Sequence, residues 1–156
     1  MMALVFVGTW PTDLQEAGER VYAAFKAAIA ASDVPEGAVN VKLVDDAESK
    51  ALNETYNGNA YATDVLTFHY AESGDLPDSA DGEIADIAIS VETARRQAAE
   101  AGTSLPDEIG LLLVHGLLHV IGHDHQDESA RQRVDSLQSD IIAQAGLTYR
   151  DMRWTQ

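Results

Sequence analysis

The chain has 156 residues and carries 10 Lys and Arg against 26 Asp and Glu, which gives a formal charge of −16 at pH 7. This length is typical of one domain, and a hydrophobic content of 46% excludes whole-chain disorder and fibrous repeats. The absence of cysteine excludes a disulfide scaffold, a zinc ribbon and a thiol nucleophile, and it agrees with a reducing cytoplasm. The acidity argues against a broadly basic nucleic-acid surface, so any RNA site must be local.

The residue pattern predicts secondary-structure elements in the order βαβαββααα. Strands are predicted at 2–7, 39–43, 65–70 and 84–90, and the acidic segment between the last two favours antiparallel pairing. Helices are predicted from Thr12, with a capping box to Gln15, and over 46–58, 91–102, 105–121 and about 127–145. We therefore expect an α+β fold, a small mixed sheet of about four strands packed with about five helices, in a single domain over 1–156.

Two features of the sequence concern solubility and membrane binding. The stretch 71–92 contains many Asp and Glu but no Lys or Arg, and we interpret it as a solvated loop that favours solubility. The uncharged run 109–121 is shorter than the roughly 18 residues that span a bilayer, and the apolar start of the chain has no basic region and is predicted to be a strand. No membrane role is expected.

Four of the five histidines fall between positions 115 and 125. His115 and His119 are one helical turn apart, so both imidazoles project from one face, at the spacing that lets two nitrogens reach one zinc ion. Gly122 can adopt the left-handed conformation that ends the helix, which lets His125 supply a third nitrogen from the following loop. Three histidine ligands leave a fourth position open, as in catalytic rather than structural zinc sites.

Other interpretations of these residues remain open. Each of the two helical histidines could be a core residue with a buried partner, and His123 is a competing ligand that ranks below His125. His69, on a strand, is more often structural or exposed. Zinc peptidases of this general pattern carry a Glu directly after the first His, where this chain has Gly116, so proteolysis is not expected. Asp124 could orient a ligand, or it could simply favour the turn beside Gly122.

The segment from His115 to His125, together with Val91–Ala98 and Thr63–Phe68, resembles the YbeY family of bacterial metal-dependent endoribonucleases. The resemblance implies one Zn2+ per chain, held by His115, His119 and His125. It also implies a cytoplasmic endoribonuclease specific for single-stranded RNA, which acts in ribosomal RNA maturation and ribosome quality control. The implied partners are single-stranded RNA, ribosomal RNA or the small ribosomal subunit, with no membrane and no DNA. His115, His119 and Asp124 are predicted to be catalytic.

One stretch departs from the family pattern. The family usually has Arg, Lys and Asp where this chain has Asn57, Asn59 and Ala60, and an Asn cannot replace the charge of an Arg that binds phosphate. Either another cation such as Arg95 or Arg96 binds the phosphate, or the substrate is weakly bound or altered. The predicted substrate-binding residues are Asn57, Arg96 and Asp64, although Asp64 could instead cap a turn and Arg96 could be ordinary surface charge.

Three functions are therefore compared. The first is a zinc-dependent endoribonuclease. The second is a zinc-containing ribosome assembly or RNA-binding factor with weak or no catalysis, which the acidity and the missing Arg favour. The third is a metal hydrolase of amide substrates, which the absent peptidase Glu disfavours.

Overall fold

The computed structural model describes residues 2–70, 82–123 and 126–152. Four strands form one mixed sheet in the order β1-β2-β4-β3, in which β1, β2 and β4 are parallel and β3 is antiparallel to β4. Their bounds are Met2–Val7 for β1, Gly37–Val44 for β2, Val65–His69 for β3 and Glu83–Ser90 for β4. The predicted α+β fold and the antiparallel pairing are confirmed, while most of the acidic segment, 71–81, lies outside the described residues.

Five helices flank the sheet, and a short 3₁₀ turn spans Ala31–Asp33. Because side chains alternate along a strand, the sheet has two distinct faces. One face packs against α1 and α4 in the main core, and α2 contributes Leu52 to a smaller cluster on the other. The helices are α1 (Thr12–Ala28), α2 (Asp46–Asn57), α3 (Val91–Ala101), α4 (Leu105–Val120) and α5 (Glu128–Gln144). None of those described combines the length and hydropathy that crossing a bilayer requires.

The start of α1 differs from the prediction. Pro11 occupies the capping position without a side-chain cap, and its carbonyl accepts the N–H groups of Leu14 and Gln15. Thr12 is already helical, so the predicted capping box between Thr12 and Gln15 is wrong. These N–H groups are donors that a Thr12 hydroxyl cap would otherwise bind, so the Pro11 carbonyl takes the place of a side-chain cap.

The helix α4 is the centre of the core. Ser104 accepts the N–H of Asp107, and the Asp107 carboxylate accepts the N–H of Ser104, which fixes the first turn. Beyond that turn, the leucines and valines of α4 are buried on every side of the helix. At its amino end, fully buried Glu108 receives two hydrogen bonds from Arg150, 2.7 Å from Nε and 2.5 Å from Nη2. This ion pair fastens the C-terminal segment to α4.

Asp46 joins three elements at the carboxyl end of β4. Its carboxylate accepts hydrogen bonds of 2.6 Å from both the Ser90 and Thr93 hydroxyls, and it lies 2.9 Å from the Arg96 guanidinium. These contacts tie α2 to the β4–α3 junction. The hydrogen bonds from Ser90 and Thr93, assisted by Arg96, hold the pKa of Asp46 below its usual value of 3.8.

This lowered pKa makes stability depend on acid. A carboxyl group whose pKa is lower in the folded than in the unfolded state stabilises the fold at pH values above its usual pKa. This stabilisation is lost as the pH falls through the pKa of the folded state. We predict that Asp46→Asn lowers the free energy of unfolding at neutral pH, and that the difference from the parent shrinks as the parent carboxylate protonates. Urea titrations at neutral pH and at about pH 3 measure this effect.

Asp140→Asn is the matched control, because Asp140 is an exposed aspartate on α5. Equal destabilisation by the two substitutions, or an Asp46→Asn deficit that is constant with pH, would contradict the role of Asp46.

Candidate metal centre

The last two turns of α4 carry His115, which is half-buried, and His119, which is exposed. The helix ends in a Schellman motif, in which the Gly122 N–H bonds the His119 carbonyl at 3.1 Å and the His123 N–H bonds the Leu118 carbonyl at 2.9 Å. Gly122 has φ of 96°, a left-handed conformation that favours glycine. The prediction that Gly122 ends the helix and reverses the chain direction is therefore confirmed.

The orientation of His115 is fixed from another helix. Its Nδ1 lies 2.7 Å from Oε1 of Gln138, a fully buried residue of α5. An amide oxygen can only accept, so this contact places the His115 proton on Nδ1 and the lone pair on Nε2, the nitrogen that could bind a metal. The Gln138 amide nitrogen in turn lies 3.6 Å from Sδ of Met152. Such support of a histidine by a second polar group is typical of metal ligands.

His69 lies close to the candidate centre, although its position on a strand did not single it out. It is the last residue of β3, on the sheet face that packs against α4, and its ring centroid is 6.3 Å from that of His119 at an interplanar angle of 45°. Strand alternation from Val65 through Thr67 to His69 was the signal that could have placed it there. No comparable sequence signal identified Gln138, although it lies on the same buried stripe of α5 as Val134 and Ile141.

The missing peptidase glutamate has a structural reason. A Cβ built on Gly116 would lie 3.1 and 3.2 Å from two carbon atoms of Ile87, which is fully buried in β4, and 3.4 Å from the Thr67 hydroxyl. Gly116 is thus the position where α4 approaches the sheet. A glutamate there would point into packed core rather than toward a substrate, which agrees with the expectation that the site is not a peptidase.

The predicted third ligand, His125, and the predicted catalytic residue Asp124 lie outside the described residues. Within 2–70, 82–123 and 126–152, no group of three or more His, Asp or Glu is arranged to hold a metal. The competing ligand His123 lines an open cavity with Asp33 and Leu137, between the ends of α1 and α4 and the helix α5. The structure therefore describes two members of the predicted triad and the chain reversal that precedes the third.

The three predicted substrate-binding residues divide between the two ends of the sheet. Asn57 is exposed at the end of α2, and its amide donates to the Asn53 side chain at 3.0 Å. The preceding Tyr56 contacts Phe68, with ring centroids 5.1 Å apart, so this turn lies at the same end of β3 as His69. Asn57 is thus brought to the histidine end of the sheet.

Arg96 and Asp64 lie at the opposite end. Arg96 pairs with Asp46, and Asp64 accepts the Val65 N–H at 2.7 Å and a Gln97 amide hydrogen at 3.3 Å. The Asp64 carbonyl accepts from Ser90, whereas His69 pairs with Ala85. Five residues of strand, about 16 Å, separate these two ends of β4. The contacts of Asp64 are those of a turn cap, the alternative that the sequence left open.

We predict that Gly116→Glu destabilises the fold instead of creating a peptidase. Burying a carboxylate against Ile87 without a partner and overfilling the core should lower the free energy of unfolding by about 3 kcal/mol or more. Gly116→Ala should cost about 1 kcal/mol, because the clash is offset by the higher helix propensity of alanine. Urea unfolding measures both, and wild-type stability in Gly116→Glu would contradict the close approach of α4 to the sheet.

Similarity to known proteins identifies the family to which the chain belongs. The sequence profile of the family described as Endoribonuclease YbeY matches residues 9–146. A protein named Endoribonuclease YbeY from Moorella thermoacetica is 46% identical over 128 residues, 78% of this chain and 82% of the relative. The protein of that name from Geobacillus thermodenitrificans is 39% identical over 127 residues, 78% of this chain and 81% of the relative. The solution structure of TM1509 from Thermotoga maritima shares the fold, with a TM-score of 0.56 and 21% identity, and covers 98% of this chain and 100% of that one. The chain therefore belongs to the YbeY family.

Proposed function

We propose that this protein is a zinc-dependent endoribonuclease that cleaves single-stranded RNA in the cytoplasm during ribosomal RNA maturation and ribosome quality control. The observation that carries the proposal is the pair His115 and His119, with His115 held by buried Gln138, in a chain whose relatives are named endoribonucleases. The proposed partners are ribosomal RNA and the small ribosomal subunit.

The described residues fit a zinc ion. His115 presents Nε2, and His119 shares its helix face one turn later at the exposed end of α4. Gly122 ends α4 three residues before His125, a spacing that favours a third ligand from the segment after the helix, so we propose that His125 completes the ligand set. When bound, one zinc would stabilise negative charge on phosphate oxygens and promote ionisation of a water.

The chain's own residues would supply orientation and shape. Gln138 keeps the His115 tautomer fixed through Nδ1, and the Schellman motif fixes the end of α4 that carries His119. We propose that Asp124, beside the third ligand, orients a ligand imidazole or the attacking water. The His69 ring lies 6.3 Å from that of His119 and would form part of the wall beside the metal.

The shape of the site favours an unpaired strand. The histidines lie where α4 packs on the edge strand β3, next to the bulk of α2 on the other face of the sheet. A single strand can follow such an edge with its bases turned outward, whereas a duplex presents its phosphates on a rigid cylinder. The charge of −16 also disfavours the many phosphate contacts that duplex binding uses.

A second candidate function is an RNA-binding assembly factor with weak catalysis. Asn57 and Asn59 stand where the family usually has cations, and Arg96 is paired with Asp46 at the far end of the sheet. Of the three predicted substrate-binding residues, Asn57 would then be the one near the histidines, and its neutral amide would bind phosphate too weakly for efficient turnover.

Metal analysis and RNA cleavage test the proposal together. Protein purified without chelator should contain about one zinc per chain, and zinc should be lost on acidification as the imidazoles protonate. His115→Ala, His119→Ala and His125→Ala should lose the metal, whereas His123→Ala should retain most of it. A labelled RNA with paired and unpaired segments should be cut only where it is unpaired, and chelation should abolish the cuts.

Each result has a contrary outcome. Full zinc content in His125→Ala would contradict the ligand set. Equal cleavage of paired and unpaired segments would contradict the strand preference. RNA binding without turnover by zinc-loaded protein would favour the assembly factor.

Gln138 generates a separate prediction. Gln138→Leu preserves the buried volume but removes the acceptor for His115 Nδ1, and loss of such support typically lowers metal affinity about 10- to 100-fold. Gln138→Glu retains an acceptor at the same place and should retain affinity. Competition with a chromophoric chelator measures zinc binding, and nitrogen NMR of the His115 ring reports the tautomer without any catalysis. Unchanged affinity and tautomer in Gln138→Leu would exclude a positioning role.

A further inference from the structure

The segment Tyr56–Tyr61 is exposed and uncharged in a strongly acidic chain. Its two tyrosines are 45% and 51% exposed, and they are the large exposed aromatic residues of the described chain. The intervening residues are Asn, Gly, Asn and Ala, and the chain has no Lys or Arg between Lys50 and Arg95. The segment itself therefore offers a nucleic acid aromatic rings but no positively charged side chain.

The buried residue Asn53 anchors the turn that joins the two tyrosines. Asn53 is only 2% exposed, and its amide donates to the Tyr61 carbonyl at 2.9 Å. The Asn53 backbone carbonyl accepts the Asn59 N–H at 3.2 Å, and Gly58 ends α2 in a left-handed conformation. The chain reversal that carries Tyr61 is thus anchored to the helix that carries Tyr56, so both rings are presented from one ordered turn.

This turn adjoins the histidines. The Tyr56 ring packs on Phe68, whose neighbour in β3 is His69, and the His69 ring packs near His119. Phe68 and His69 point to opposite faces of β3, the edge strand of the sheet. A flexible strand bent around this edge could place a phosphate at the histidines and the neighbouring bases on the tyrosines.

We infer that Tyr56 and Tyr61 form a stacking platform for unpaired bases next to the cleaved phosphate. The inference rests on the proposed RNA substrate. Every base has a π-face, so stacking binds single strands without sequence preference and requires no cation. In this chain the platform supplies the affinity that positive charge at positions 57 and 59 would otherwise provide. Paired bases cannot unstack onto the rings, so the platform also selects single-stranded RNA.

Binding of a labelled single-stranded RNA to the full chain without zinc tests this inference. Tyr61→Ala and Tyr56→Ala should each weaken binding between about fivefold and a hundredfold, as loss of one stacked base does elsewhere. Tyr61→Phe keeps the ring and should bind as the parent does. Val5→Ala is the matched control, because Val5 is 42% exposed on the opposite edge strand β1.

Two further measurements separate stacking from phosphate attraction. An abasic RNA of equal length, which can stack on neither tyrosine, should bind the parent at least as weakly as intact RNA binds Tyr61→Ala. The ratio of parent to variant affinity should change little with added salt, since counterion release belongs to phosphate contacts. If Tyr56→Ala unfolds because it loses Phe68, the Tyr61 variants still decide the matter, because the Asn53 anchor is to the Tyr61 backbone.

Parental binding by both alanine variants would overturn the platform, as would equal losses in Tyr61→Phe and Tyr61→Ala or equal affinity for abasic RNA. These outcomes leave the proposed nuclease untouched, because cleavage is measured separately. RNA binding that depends on the tyrosines but leads to no cleavage would overturn only the catalytic function.

Discussion

The close contact between α4 and the sheet at Gly116 is the constraint on which the site depends. With no side chain at this position, the helix approaches Ile87 and Thr67 closely, and its last turn places the His119 ring 6.3 Å from that of His69, the last residue of β3. The same helix is buried on every side and supplies the largest share of the core. The stability of the fold and the position of both histidines therefore depend on one helix, and a shift of α4 would alter both.

Much of this arrangement could be predicted from local sequence. The spacing of His115 and His119 puts both on one helix face, and Gly122 can end the helix in a left-handed conformation. Both features follow from the backbone geometry of a few neighbouring residues. Turn residues, strand alternation and helical periodicity likewise predicted the four strands and five helices of the described chain. The start of α1 was the exception, because Pro11 and Thr12 both offer a plausible helix start and the proline carbonyl satisfies the first donors.

The partners of His115 and Arg96 could not be predicted without the tertiary structure. Gln138 is 23 positions from His115, and only the packing of α5 on α4 brings the amide to the imidazole. The glutamine does occupy a position of the buried stripe, and an uncharged polar residue there usually has a buried partner. Similarly, the pairing of Arg96 with Asp46 depends on where α2 meets the β4–α3 junction, which the order of elements does not determine.

The dependence of His115 on Gln138 also has a consequence for the timing of activity. The helix α5 lies near the carboxyl side of the described chain, after every other helix and strand. During synthesis, which proceeds from the amino end, α4 and its histidines emerge before the residue that fixes the first imidazole. A nascent chain that lacks α5 would therefore contain both histidines without the amide that orients the first of them. The proposed centre would become ordered only after translation has passed α5 and this helix has packed on α4.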